Sequence, residues 1–167
     1  MLMALRQLLS IAILPFTVVV IVPIWIARRN AVVFSPAQVT TAGLALAGGL
    51  AVGAAGLVLF VSSLYVFWTR GRGTLAPWDP PRHFVAEGPN RYVRNPMISG
   101  VMLILVAESL VARSIALAEW AGTFFVINLI YIPLLEEPML EARFGESYRT
   151  YKQHVRMFVP RLDPWSG

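Results

Sequence analysis

The sequence predicts an all-α, polytopic integral membrane protein with about four transmembrane helices, a hairpin formed by the third and fourth, and a C-terminal amphipathic helix. Three observations predict this. Of 167 residues, 57% are hydrophobic and only 14% charged, against about 45–50% apolar and about 25% charged in soluble domains. Uncharged apolar runs reach the length of a bilayer crossing. The basic residues gather on one side of the topology that these runs define.

The first run covers residues 8–27 and contains Pro15 and Pro23 but no charge. At about 1.5 Å rise per residue, such a run spans roughly 30 Å, the thickness of a hydrocarbon core. Arg28, Arg29 and Asn30 follow where a signal peptide would carry small residues for cleavage, so the run reads as a retained helix. The second run, residues 39–68, is rich in small residues: Gly43, Gly48, Gly49, Gly53 and Gly56. Gly49 and Gly53 have the spacing that lets helix backbones approach closely in lipid, within one chain or between two. Tyr65 and Trp68 close the run, where amphipathic rings favour the headgroup level.

Residues 69–96 form a polar stretch with five arginines and no helical period. A loop of this length in a small protein is usually functional. A short third run, residues 97–112, is separated from a fourth, residues 115–135, only by Arg113 and Ser114. So tight a link makes the two an antiparallel hairpin. Glu108, Arg113 and Glu119 then gather near its tip, at the far interface, where they can snorkel or pair. From Glu136 onward, Leu140, Phe144, Tyr148, Tyr151 and Val155 recur at three- and four-residue spacing. That period describes an amphipathic helix, or two short ones broken near Gly145.

With four spans, the N-terminus, the long loop and the tail share one side. That side carries 11 of the 14 basic residues; only Arg28, Arg29 and Arg113 fall on the other. The excess of positive charge places both termini in the cytoplasm, in the inner or plasma membrane. The same placement explains the net charge of +5 without nucleic acid. With no cysteine and two distant histidines, His83 and His154, no metal site is expected.

The hairpin brings together two polar segments that lie 40 residues apart in sequence. One ends the loop, GPNRYVRNP, residues 88–96; the other opens the tail, EEPMLEARFGESYRTYKQHV, residues 136–155. Together they hold Arg91, Arg94, Asn95, Glu136, Glu137 and Arg143, with Tyr92, Phe144, Tyr148 and Tyr151 nearby. Arginines suit a carboxylate or phosphate, carboxylates an ammonium or ribose, and rings a flat base or a cation. Interfacial ion pairs and headgroup contacts would use the same residue types. No G-x-G-x-x-G after a strand, P-loop or G-x-S-x-G elbow is present.

At these two segments the chain resembles the isoprenylcysteine carboxyl methyltransferase family and the related phospholipid methyltransferases. The family pattern G-P-Y-R-Y-V-R-H-P-x-Y-x-G reads GPNRYVRNPMISG here, residues 88–100. After a helical hairpin, the pattern E-E-x-x-L-x-x-x-F-G-x-x-Y-x-x-Y reads EEPMLEARFGESYRTY, residues 136–151. The resemblance covers the C-terminal half, from Gly71. Asn95 stands where the family has histidine, Ile98 and Asn90 where it has tyrosine. An asparagine at 95 can give and take hydrogen bonds but cannot transfer protons at neutral pH.

The resemblance implies a membrane enzyme that uses S-adenosyl-L-methionine, with S-adenosyl-L-homocysteine as product, to methylate a lipophilic acceptor at the cytoplasmic interface. The acceptor would be a carboxylate, an amine or a lipid headgroup. Cofactor-binding positions carried over are Arg91, Tyr92, Val93, Arg94, Asn95, Pro96, Gly100, Glu136, Glu137, Phe144 and Tyr148. Arg91 and Arg94 would meet the cofactor carboxylate, and Glu136 or Glu137 its amino group or ribose. Arg143 or Arg156 would orient an anionic acceptor. Residues 1–68 would be two N-terminal membrane helices, and residues 69–167 the loop, hairpin and tail that build the site within one structural domain. A non-catalytic scaffold of the same fold, and a nicotinamide-dependent membrane reductase, are the alternatives. Membrane lipids are expected partners, and a second copy of the chain is a possible one.

Overall fold

A computed structural model describes residues 14–30, 43–71 and 86–166. Arg6, Arg72 and Arg82, the beginning of the first predicted span and most of the predicted loop lie outside the described residues. Regular structure among those described is entirely helical. A wide turn, Thr17–Ile21, leads into α1, Val22–Arg29. Next comes α2, Gly43–Val66, extended by a second wide turn, Phe67–Gly71. A 3₁₀ turn, Gly88–Arg91, precedes α3, Pro96–Ala112. α4, Ile115–Tyr131, passes through a third wide turn, Ile132–Glu136, into α5, Glu137–Phe144. α6, Glu146–His154, comes last.

Among the described residues, two continuous helices are long and apolar enough to cross a membrane: Gly43–Arg70 with 28 residues and Ile115–Phe144 with 30. α3 is equally apolar but only 17 residues long. Their surfaces agree with a lipid setting. On α2, Leu44, Leu50, Leu57, Val58 and Val61 are all more than half exposed; on α4, so are Val126, Ile127 and Ile130. In water this would be a very large apolar patch; against acyl chains it is ordinary surface.

Two of the wide turns share a cause. Pro23 and Pro138 have no N–H to give to the carbonyls four residues back, those of Val19 and Leu134, and their rings would clash there. The residue before each proline instead donates five residues back, Val22 to Thr17 and Glu137 to Ile132. Each extra residue in a turn rotates the remainder of the helix about its axis.

The chain forms two compact units, Met1–Val58 with Gly100–Phe125, and Leu59–Ser99 with Val126–Gly167. In the first, α2 and α3 pack through glycine. A Cβ on Gly56 would lie 2.8 Å from both the Gly100 carbonyl oxygen and Leu103 Cβ. One on Gly49 would lie 2.8 Å from Val111 Cγ2, and one on Gly53 3.1 Å from Ala107 Cβ. The small-residue face therefore packs within the chain. Gly43 and Gly48 meet nothing within 4 Å.

α3 and α4 are joined by the two-residue link Arg113-Ser114 on which the hairpin expectation rests. Arg113 takes φ +49°, and Ser114 Oγ accepts from Leu117 N at 3.4 Å, capping α4. Trp120 Nε1 donates to the Val18 carbonyl at 3.1 Å and ties α4 to the N-terminal helix. Glu108, Arg113 and Glu119 form no ion pair with any described residue; Glu108 is half-buried and the other two exposed.

The glycine packing gives a direct test. Gly56→Ala, forced against the α3 backbone, should cost about 1–3 kcal/mol as overpacking. Gly48→Ala, in open space within a helix, should leave stability equal or slightly raised. Thermal unfolding of both variants in detergent measures the contrast. Equal melting of the two would remove the claim that Gly56 sets the α2–α3 distance.

Candidate functional site

The second unit gathers the polar residues. Its centre is Glu137, 2% exposed at the first position of α5. The wide turn before Pro138 sets its direction, with Ile132, 1% exposed, one π turn earlier on the buried side. The predicted tail thus does not begin afresh at Glu136: the helix that starts at Ile115 runs on through both glutamates to Phe144.

Arg94 arrives from the loop. Gly88 begins the turn at φ +55°, and a Cβ there would lie 2.8 Å from Val66 Cγ2, so position and conformation both require glycine. The loop then runs antiparallel to residues 156–165. Arg94 N donates to the Arg156 carbonyl at 2.9 Å and Asn95 N to that of Met157 at 3.3 Å. In return, Arg161 N donates to the Tyr92 carbonyl at 2.8 Å and Trp165 N to that of Arg91 at 2.9 Å.

With its backbone held, Arg94 Nη2 lies 2.7 Å from Glu137 Oε1. Lys152 Nζ lies 2.8 Å from Glu137 Oε2 and 2.8 Å from Glu141 Oε1. Arg94 Nη1 donates to the Lys152 carbonyl at 3.0 Å. Loop, α5 and α6 therefore share one ion cluster, whose Arg94 and Glu137 side chains are 11% and 3% exposed. Surface ion pairs contribute little. Removing one partner from a buried pair costs about 3–5 kcal/mol, because the other charge is stranded.

An aromatic layer packs beside the cluster. Gly145, at φ +57°, breaks the tail into α5 and α6. Tyr148, Tyr151 and Val155 are buried together, with Leu140, Phe144, Ala86 and Trp165 against them. Tyr151 Oη donates to the Asn90 carbonyl at 2.6 Å, and the Trp165 ring meets its ring edge-on at 5.3 Å. Burial, then Glu137, raises the Tyr148 hydroxyl well above the ordinary tyrosine range, and burial does the same for Tyr151. Both stay neutral hydrogen-bonding groups across the physiological range.

Of the predicted site residues, Arg94 and Glu137 meet directly. Asn95 adjoins Arg94 in sequence, and Tyr148 packs beside α5. Val93 and Pro96 are buried as packing. Arg91 Nε donates to the Trp165 carbonyl at 2.6 Å. Tyr92 is 40% exposed. Glu136 is half-buried and makes no ion pair with a described residue. Arg143 is exposed, 5.7 Å above the Phe144 ring, and Arg156 is exposed. Gly100 belongs to the first unit, against Gly56.

Two donors in this region stand out. Arg94 Nε and Asn95 Nδ2 are buried without a hydrogen-bond partner. Glu137 Oε1 is likewise without a hydrogen bond, although the Arg94 ion pair reaches it at 2.7 Å. A stranded buried donor costs about 1–3 kcal/mol, so Arg94 Nε and Asn95 Nδ2 have capacity for a bound acceptor. Sequence reasoning missed Lys152 as a member of the cluster and Trp165 as its lock. The spacing of Tyr148, Tyr151 and Val155 fixes which side of α6 is buried, and Lys152 is the residue directly after Tyr151. Nothing in the sequence pattern announces Trp165. Among the described residues, no group of three or more His, Asp or Glu could hold a metal ion.

These features define a helical membrane protein with a buried ionic cluster joining a loop to a C-terminal tail. A model of the phospholipid methyltransferase family matches residues 44–147, and the chain belongs to that family. No curated protein and no solved structure matches it.

The cluster makes two predictions. Arg94→Met should destabilise by about 3–5 kcal/mol, and Arg94→Met with Glu137→Leu by clearly less than the sum of the singles. A strictly additive pair in chemical denaturation would rule out the coupling. For pH, hydrogen bonds to Glu137 and then Glu141 raise the Lys152 ammonium. Its contribution is complete below the ordinary lysine value of about 10.4 and is lost as pH climbs through the raised folded value. Stability should therefore hold at neutral pH and fall in the alkaline range, where the two buried tyrosines act in the same direction from about 10. Lys152→Met should lower stability below about pH 10 and make the alkaline fall shallower, as read from melting temperature against pH.

Proposed function

We propose that the chain is an S-adenosylmethionine-dependent methyltransferase that modifies a lipophilic acceptor at the cytoplasmic face of a membrane. The observation that carries this reading is the pair of stranded donors, Arg94 Nε and Asn95 Nδ2, beside a buried ion cluster in a phospholipid methyltransferase chain. Family membership supports methyl transfer in general, and the donor pair supports the particular cofactor.

The residues present suit that cofactor. Arg94 Nε and Asn95 Nδ2 supply donors for carboxylate or ribose oxygens. Glu137 is already held by Arg94 and Lys152, so it orients Arg94 and leaves Glu136 to accept from an ammonium or a ribose hydroxyl. Phe144 provides ring surface beside these groups, and Tyr148, buried against it, supports that ring from within. Arg143 meets an anionic part of the acceptor. When bound, S-adenosylmethionine supplies a methyl group already activated on sulfonium. The chain's own task is alignment and exclusion of water, which can contribute several kcal/mol. A carboxylate acceptor needs no base, consistent with asparagine at 95.

The four-span topology, with both termini cytoplasmic, belongs to the same reading. α3 is the third crossing and the N-terminal segment with α1 the first. The ion cluster then lies on the side that carries most of the basic residues. A lipid-soluble acceptor can reach it along the bilayer, while the donor arrives from water.

Titration calorimetry of detergent-purified protein with S-adenosylhomocysteine tests the reading. Wild type should bind, and Asn95→Ala or Arg94→Ala should weaken binding about ten- to a hundred-fold, the worth of a hydrogen bond to a charged group. Labelled-methyl transfer to a membrane extract then identifies the acceptor. Binding of a nicotinamide nucleotide instead, or of neither, would overturn the assignment in favour of a reductase or a scaffold.

A further inference from the structure

The tail beyond the family-matched region carries a surface that methyl transfer does not use. α3 has 17 residues, about 25 Å of helix against roughly 30 Å of hydrocarbon. Read as a crossing, as proposed above, its first residue cannot stand clear of the membrane. Arg94 and Asn95, just before Pro96, are then at the boundary. Their backbone N–H groups are bonded to the carbonyls of Arg156 and Met157 at 2.9 and 3.3 Å. The tail is therefore pinned at headgroup level.

This pinned segment presents a specific surface. His154, Arg156, Pro160, Arg161, Leu162 and Asp163 line an open pocket of about 360 Å³. Arg161 shapes it, donating from Nη1 to the His154 carbonyl at 2.7 Å and from Nε to the Asp163 carbonyl at 3.2 Å. His154 Nδ1 lies 2.7 Å from the Thr150 carbonyl, which fixes the ring and leaves Nε2 for another partner. Arg156 is exposed and forms no ion pair with a described residue. Asp163 is the one carboxylate lining the pocket, set against two guanidinium groups. At its edge Leu162 is 98% exposed, and nearby Val159 is 55% exposed. In water, cations beside bare aliphatic side chains gain little; at an acyl–headgroup boundary, both are satisfied.

We propose that residues 154–163 dock an anionic phospholipid, Arg156 and Arg161 meeting the headgroup and Leu162 resting among the upper acyl carbons. Charge complementarity and the pinned height select this occupant. The lipid here is a bound neighbour that orders the tail against the loop, distinct from the methyl acceptor.

The chain has no cysteine, so single labels can be placed cleanly. Leu162→Cys and, separately, Val106→Cys on α3 carry an environment-sensitive fluorophore in nanodiscs of phosphatidylcholine, with or without phosphatidylglycerol, and with lipids bearing nitroxides at shallow or deep acyl positions. The label at 162 should shift to the blue and be quenched by the shallow nitroxide, more strongly with phosphatidylglycerol. Adding Arg156→Gln should reduce the phosphatidylglycerol dependence about five-fold, the usual effect of one basic residue at an anionic surface. The label at 106 should be quenched by the deep nitroxide in every disc. Quenching at 106 without quenching at 162 overturns the docking site and leaves α3 as a span. Quenching at neither removes both readings. Equal quenching at 162 with and without phosphatidylglycerol overturns the anionic assignment.

Discussion

The site depends on keeping a carboxylate charged where water scarcely reaches. Glu137 is 2% exposed, and a carboxylate so buried is tolerated only with opposite charge and hydrogen bonds around it. One cation would leave an oxygen unanswered. Two are present, Arg94 on Oε1 and Lys152 on Oε2, and they come from different segments. Loop and α6 must therefore close on α5 together. The backbone ladder between residues 91–95 and 156–165 holds the loop in that position, and the Tyr151–Trp165 contact seals its far end.

Prolines make the carboxylate's direction possible. Pro138 forces the preceding turn to widen, and without that added residue the two glutamates would face other sides of the helix. The same device operates before Pro23. The sequence pattern marks Pro23 only as an interruption of an apolar run and gives Pro138 no role. Whether a helix breaks, kinks or widens there depends on what its next turn must reach, and in the helix Ile115–Phe144 the answer is a buried ion pair.

Local signals explain how much was legible in the sequence. Apolar length gave the helices, a two-residue link gave the hairpin, and the hairpin alone required the loop's end and the tail's start to be neighbours. Arg94 opposite Glu137 agrees with that geometry. The break at Gly145 and the buried line of Tyr148, Tyr151 and Val155 come from helical period. Illegible were contacts set by tertiary closure. Residues 156–165 have no period, and their bonds to the loop are made by backbone groups, which any sequence offers. Arg91, carried over as a contact to the cofactor carboxylate, donates instead from Nε to the Trp165 carbonyl. Apolar composition foretold four crossings; among the described residues two helices have the length for one, and the first run begins outside the described residues.

The division of labour among the charges is a consequence of this closure. Arg94 offers N–H donors on three nitrogens; Nη1 and Nη2 engage Lys152 and Glu137, while Nε remains unanswered and buried. An arginine whose head is clamped on one edge is a rigid donor on another, since its plane can no longer turn. Asn95, the next residue, offers Nδ2 from a backbone fixed by Met157. Histidine here would add a titrating charge to a region that already balances Glu137 between two cations; asparagine adds a donor and no charge. A reaction that needs its partners held in line, with an activated donor and little proton movement, asks for stiffness at this spot more than for basicity. On the reading proposed above, the ion cluster supplies that stiffness, and a carboxylate that touches no reacting atom then governs how well the reacting atoms meet.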